Sequence, residues 1–177
     1  MTMTRTTIER PGEGEHLPYY GRYIALVPEG DILETMVRQN ESTMALLGSL
    51  SGTQGGHRYA PDKWSVKELV SHVSDAERIF ADRALRFARH DETPLPGFEE
   101  NDYVRNGGFD AFSLADIAKG FASVRRSTVS LFELMSEEAT KRRGKANNAD
   151  VSVRALAHII VGHEIHHMNV LRERYLV

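Results

Sequence analysis

The run Gly162-His163-Glu164-Ile165-His166-His167 constrains this chain more than any other feature, because it sets imidazoles inside an otherwise apolar helical stripe. On a helix turning roughly 100° per residue, Leu156, Ile160, His163, His167, Val170 and Leu171 share one face, with the two histidines at its centre. That face has to pack against other helices, and it carries two nitrogen ligands inward with it. His163 and His167 stand at the i, i+4 spacing that brings Cβ atoms within roughly 5–6 Å, so both rings can close on one divalent ion. The alternative is a pair of core histidines without a metal. It leaves the hydrogen-bonding capacity of two buried rings unused. His166 lies at the edge of the stripe and His158 almost opposite it.

Three other segments share the helical period. One runs from about Asp31 to Ser49, with Ile32, Leu33, Met36, Val37, Met44, Leu46 and Leu47 as its apolar positions, and stops in the stretch Ser51-Gly52-Thr53-Gln54-Gly55-Gly56. The next opens on a capping box, Ser65-Val66-Lys67-Glu68, and continues to about Arg89, ahead of Pro94 and Pro96. A long loop is expected after it. Ser113 can cap a third helix, Leu114 to about Met135, and Ser152 a fourth, Val153 to about Arg174. Signals for β-strands are scarce. Four amphipathic helices in 177 residues predict an all-α, four-helix bundle, an architecture that builds metal sites from side chains on facing helices. Tyr19, Tyr20, Tyr23, Ile24, Leu26 and Val27 are too apolar for a solvated tail, so residues from about Leu17 to Pro28 should pack along the bundle. The expected organisation is an N-terminal arm over residues 1–28 and a bundle over 29–177, forming one domain.

The inward stripe of the second helix supplies a third ligand. Leu69, His72, Ala76, Ile79, Arg83 and Phe87 share that face, and His72 is an isolated polar ring among core residues. His72, His163 and His167 then hold one divalent ion and leave a coordination position open, as catalytic zinc-type sites do. Zero cysteines exclude thiolate ligands and disulfides. His16, His57 and His90 fall in loops or helix ends and should be solvated.

Two other motif readings are weaker. His163-Glu164-Ile165-His166-His167 fits the His-Glu-x-x-His pattern of zinc proteases, with Glu164 as general base. That chemistry needs a further ligand downstream, where Glu173 is too close along the same helix to turn back. Glu164 itself reads as a residue of an exposed flank that could still serve as an outer-sphere base. A carboxylate-bridged di-iron bundle needs Glu-x-x-His twice on its helices, and beside the copy ending at His167 none occurs in the first three. Arg83 could meet an anionic substrate group, although a salt bridge to a carboxylate at the core edge is the more ordinary expectation. Asn101-Asp102-Tyr103 could sit on a pocket rim or form a plain polar turn.

Net charge is −3 with mixed signs along the chain, so no nucleic-acid partner is expected. The polar stretch Met1 to Gly14 lacks the apolar core of a signal peptide, and no membrane-spanning run follows. The expected location is the cytoplasm. Val161, Ile165 and Met168 form a second apolar strip on the back of the fourth helix, to be covered by the arm or by a second subunit in a homodimer.

The chain resembles the DinB-like (DinB/YfiT) family of metalloenzymes. The resemblance rests on Trp64-Ser65-Val66-Lys67-Glu68-Leu69-Val70-Ser71-His72, on Gly162-His163-Glu164-Ile165-His166-His167, and on the arm ending Tyr23-Ile24-Ala25-Leu26-Val27-Pro28. It implies a four-helix bundle whose second and fourth helices bind nickel, zinc or a similar ion through three histidines, matching His72, His163 and His167. It also implies S-transferase or isomerase chemistry with low-molecular-weight thiols such as bacillithiol or mycothiol. A small-molecule substrate, with such a thiol activated by the ion, is the leading expectation. A metal-dependent hydrolase and a non-catalytic protein binding metal or a partner are the alternatives.

Overall fold

The computed structural model describes residues 6–176. The arm carries one short helix, α1 (Pro18–Ile24), and leads to α2 (Ile32–Gly48), the single turn α3 (Gly52–Gly55) and the long α4 (Val66–Ala88). Then come α5 (Glu100–Gly107), α6 (Leu114–Glu133), α7 (Glu137–Lys141), a hairpin of β1 (Arg143–Ala146) and β2 (Ala149–Ser152), and α8 (Val153–Val170), which continues into one wider turn, Leu171–Tyr175. The four-helix bundle is α2, α4, α6 and α8. Of the arm expected over residues 1–28, residues 1–5 lie outside the described residues, as does Val177 of the bundle.

Local chemistry starts each long helix where the sequence places it. Asp31 accepts the Leu33 and Glu34 amides at 2.8 and 3.2 Å. Ser65 accepts the Glu68 amide at 3.2 Å while Glu68 returns to the Ser65 amide at 2.7 Å, closing the capping box. Ser113 and Ser152 cap α6 and α8 in the same way, through Asp116 and Ala155.

The buried apolar residues form two clusters. One gathers Leu33, Met36, Phe80, Phe87, Phe132 and Ile159; the other gathers Leu47, Leu69, Val70, Phe121, Met168 and Leu171. On each long helix a buried polar side chain falls where the two meet: Thr43 on α2, Glu77 on α4, Arg125 on α6, and His163 and Glu164 on α8. A polar belt therefore crosses the middle of the bundle, holding the charges of Glu77, Arg125 and Glu164 together with His163, and His72 stands next to it.

Arm and bundle meet at close range. An added Cβ at Gly162 would run into the Tyr23 carbonyl, so only glycine lets α1 lie this near α8. Arg10 donates to the carbonyls of Ile24 and Val27 at 2.9 and 2.7 Å, and Ile8 joins the core. The back strip of α8 is covered within the chain: Val161 and Met168 are buried and Ile165 is half-buried, with α1 and α2 both packed on this helix.

Four local expectations need correction. The segment after α4 is not one long loop but contains α5, and Asn101-Asp102-Tyr103 lies in that helix rather than in a turn. The Gly-rich stop after α2 folds into α3, because Ser51 and Gln54 make a capping box of their own. Val37 is exposed on α2 rather than packed inward. The β-hairpin turns through Asn147 and Asn148, both at positive φ (52° and 60°), the conformation a two-residue type I′ turn requires. Leu95 attaches the preceding loop to that hairpin, its amide donating to the Lys145 carbonyl at 2.9 Å and its carbonyl accepting from Asn147 at 3.0 Å.

Glu15 anchors the start of the arm. It is paired with Arg154 of α8, and its carboxylate is held down at about 2, chiefly by the hydrogen bond from Arg154, against the opposing effect of burial. A folded-state value below the ordinary 4.5 contributes stability that is present above that value and is lost as pH falls toward about 2. Urea unfolding followed from pH 6 to pH 2 should show this loss. Glu15→Gln should lower stability at pH 6 by about 1–3 kcal/mol and flatten the acid limb.

Candidate metal centre

His72 projects from α4 and His163 and His167 from α8, and their Nε2 atoms converge. His163 Nε2 lies 3.2 Å from His72 Nε2 and 3.1 Å from His167 Nε2, and one ligand atom from each of the three falls within 4.8 Å of the others. Two nitrogens bound at about 2.0–2.1 Å to one tetrahedral ion sit roughly 3.3 Å apart, so the donor spacing fits such an ion. The donor chemistry fits too. Burial pushes His72 down to about 4 and His167 to about 3, and it holds His163 well below the ordinary imidazole range, with His167 and His72 adding to the effect. All three rings are therefore neutral at pH 7, the form in which imidazole binds a metal.

Aromatic rings pack around the trio. Trp64 lies 4.7 Å from His72, and Tyr23 of α1 meets His163 edge-on at 5.3 Å between centroids. Phe80, two turns along α4 from His72, stands edge-on to His163 at 6.1 Å. The histidines open onto a cavity of about 480 Å³ between α1, α4, α8 and the loop carrying Gly97 and Phe98. His166 is at its rim, half-buried, with its ring 5.0 Å from His167.

The remaining histidines stay away from this centre. His158 is buried elsewhere, its Nδ1 2.9 Å from the Arg154 carbonyl. His57 and His90 are exposed, and His16 is half-buried against the Leu17 carbonyl. Glu173 is exposed.

Glu164 does not belong to an exposed flank and does not serve the histidines. It is 1 % exposed and faces α2 and α6, accepting the Thr43 hydroxyl at 2.6 Å and pairing with Arg125 at 2.7 Å. Burial raises its pKa, against the opposing pull of Arg125 and Thr43. A turn of 100° per residue puts residue 164 around the corner from 163, and the buried arc of α8 is wide enough to include both. Arg83 departs from expectation as well. It forms no salt bridge among the described residues; its Nη2 donates to the Pro96 carbonyl at 2.7 Å, and its guanidinium lines the cavity.

The sequence reading missed the partners of Glu164. Arg125 on α6 clamps Glu77 of α4 through two hydrogen bonds of 2.9 and 2.8 Å and reaches the Met36 carbonyl and Gln39 of α2. The helical period alone offered a signal, since it places Arg125 in register with the buried Phe121, Thr128 and Phe132.

A family model described as the DinB superfamily matches residues 35–171. The chain belongs to the DinB superfamily. No curated protein matches it. Among solved structures, YfiT from Bacillus subtilis, described as a probable metal-dependent hydrolase with an unusual four-helix bundle topology, superposes with a TM-score of 0.67 at 15% identity, over 93% of this chain and 92% of that one. YjoA, a DinB-like protein from Bacillus subtilis, superposes with a TM-score of 0.59 at 23% identity, over 80% of this chain and 86% of its own. Both likenesses concern the fold.

Removing the Arg125 guanidinium leaves two buried carboxylates without their common partner. Breaking a buried charge group in this way costs about 3–5 kcal/mol. Arg125→Met should lower stability by that order in urea unfolding, and Glu164→Gln by less, since the Glu77 pair survives.

Proposed function

We propose that the chain is a metal-dependent enzyme in which His72, His163 and His167 hold one divalent ion, nickel or zinc, beside a pocket for a small-molecule substrate. The observation that carries this reading is the convergence of three neutral Nε2 atoms at the wall of a cavity large enough for a substrate. A bound ion with three protein ligands would supply a Lewis acid with an open position, able to acidify a nucleophile brought there.

The chain's own residues prepare that position. Trp64, Tyr23 and Phe80 pack around the imidazoles, exclude water from their flanks and keep them in the unprotonated state. Spacing along α8 and the close approach of α1 at Gly162 fix the orientation of His163. Tyr23, whose phenol burial pushes up to about 12, stays protonated beside it.

Two nucleophiles suit such a site. Transfer of a low-molecular-weight thiol is supported by the scarcity of bases at the site: Glu164 is committed to Arg125, and Glu100, half-buried, is the one carboxylate lining the cavity among the described residues. A thiol gives up its proton near pH 8.5 and needs less help from a protein base than water does. Hydrolysis is supported by the likeness to YfiT. The distinction is a matter of requirement. A metal-dependent transferase consumes thiol and electrophile together, whereas a hydrolase turns over without thiol.

Elemental analysis of purified protein should give about one divalent ion per chain. His72→Ala, His163→Ala and His167→Ala should each abolish stoichiometric binding, and His158→Ala should keep it. Metal retained at full occupancy in the His72 variant would sink the proposal. With a model electrophile, a rate that needs both the ion and a small thiol marks the transferase; a thiol-independent, metal-dependent rate marks the hydrolase.

A further inference from the structure

Arg83 is the cavity's buried cation. It is 5 % exposed on α4, eleven residues beyond His72, a spacing that returns it to the same helix face about 16 Å further along the axis. Its guanidinium lies 5.8 Å from the centroid of Phe80 and 6.0 Å from that of Phe98, and the same Phe80 ring stands 6.1 Å from His163. Among the described residues no carboxylate pairs with it. Asp82, its neighbour on the helix, accepts instead from Arg86 at 3.1 Å. The Pro96 carbonyl and the Tyr20 hydroxyl are the polar groups that meet Arg83. Burial works against its charge, and Tyr20 and, from further off, Asp82 offset this in part.

A buried guanidinium with no carboxylate in hydrogen-bonding contact, on the wall of a substrate-sized cavity, has donors to spare for an anion. The loop and the hairpin hold it in place. Leu95 ties the loop to β1, which fixes the Pro96 carbonyl over Arg83, and Gly97 packs so tightly on Asn147 that a side chain there would collide. The second cation on the cavity wall, Arg22, is held against the arm: its guanidinium stacks 4.2 Å from the Tyr19 ring and donates to the hydroxyl of Tyr23, whose ring meets His163 and His166. Glu100 is set against these two positive groups, so the lining carries a net positive charge.

Resting on the reading that this cavity is the substrate site, we propose that Arg83 is a specificity-determining residue that receives a carboxylate on the far end of the substrate. The flat, apolar middle of that substrate lies along Phe80, Phe98 and Tyr20, and its reacting end reaches the histidines. One guanidinium matches the single charge of a carboxylate and presents the parallel donors that its two oxygens accept. A dianionic phosphate would call for a second cation beside the first, and Arg22 is instead engaged by Tyr19 and Tyr23.

The test uses 3-phenylpropionate, its neutral amide and phenyl phosphate as probes, titrated calorimetrically into metal-loaded and metal-stripped protein, with metal content measured on every sample. The acid should bind at least tenfold more tightly than the amide. Arg83→Met should weaken the acid at least tenfold and leave the amide unchanged, and Arg83→Lys should fall between. Both variants should keep their metal, since Arg83 is no ligand, and thermal melts check that they remain folded. Equal affinity of acid and amide, or an acid affinity unaltered in a folded Arg83→Met, would overturn the proposal. Phenyl phosphate binding more tightly than the acid would overturn the carboxylate assignment. Acid binding that needs the ion and ignores Arg83 would mean that the ion holds the carboxylate, and the proposal fails. Arg83-dependent binding in protein that takes up no metal would leave this inference standing and remove the metal-dependent reading instead.

Discussion

One guanidinium, that of Arg125, touches every other long helix of the bundle. It donates to Glu77 on α4, pairs with Glu164 on α8 and reaches Met36 and Gln39 on α2. Gln39 in turn donates to the Val161 carbonyl of α8 at 3.1 Å. Apolar side chains tolerate sliding by a fraction of a turn, because dispersion and burial are non-directional. A buried charge does not, since any shift leaves donors or carboxylate oxygens unpaired in a low dielectric. The network therefore fixes the mutual register of α4 and α8. Those are the two helices whose histidines must meet within about half an ångström of a working geometry to share one ion.

The belt's position follows from the same physics. Charges placed within either apolar cluster would interrupt packing that supplies most of the burial energy. Set between the clusters, they interrupt it once, and all four helices contribute partners to the same layer. The imidazoles lie on the cavity side of this layer and the ion pairs on the side facing α2 and α6. Burial pushes down the pKa of the histidines, whereas in Arg125 the nearby Glu164 and Glu77 more than offset the effect of burial and raise it. One polar layer thus holds neutral imidazoles on one side and a fixed group of ion pairs on the other.

The parts of this arrangement legible in the sequence were those carried by a single helix. Ser65 with Glu68, Ser113 and Ser152 announce helix starts through local hydrogen bonds, and the spacing of His163 and His167 on an apolar stripe needs no tertiary information. His72 was legible because an imidazole breaks the apolar character of its face. Glu164 was misread because a glutamate on a helix is ordinarily solvated, and its burial depends on an arginine 39 positions earlier in the chain. The hairpin was missed for a different reason. Its strands are four residues each, and the asparagine pair that turns it lacks the glycine that makes a type I′ signal strong.

Arg83 shows how those two limits combine at the cavity. Its place on the inward face of α4 follows from the period, and a carboxylate partner was the ordinary expectation for a cation there. What replaces that partner is a backbone carbonyl, delivered by a loop whose course is set by Leu95 pairing with the hairpin. Main-chain acceptors leave no mark in the residue sequence, so the freedom of Arg83 could not be read before the loop was placed. The short β-structure is thus more than a connection between α7 and α8. By holding Pro96 over the guanidinium and Gly97 and Asn147 on the cavity wall, it keeps a cation buried there without pairing it to a carboxylate.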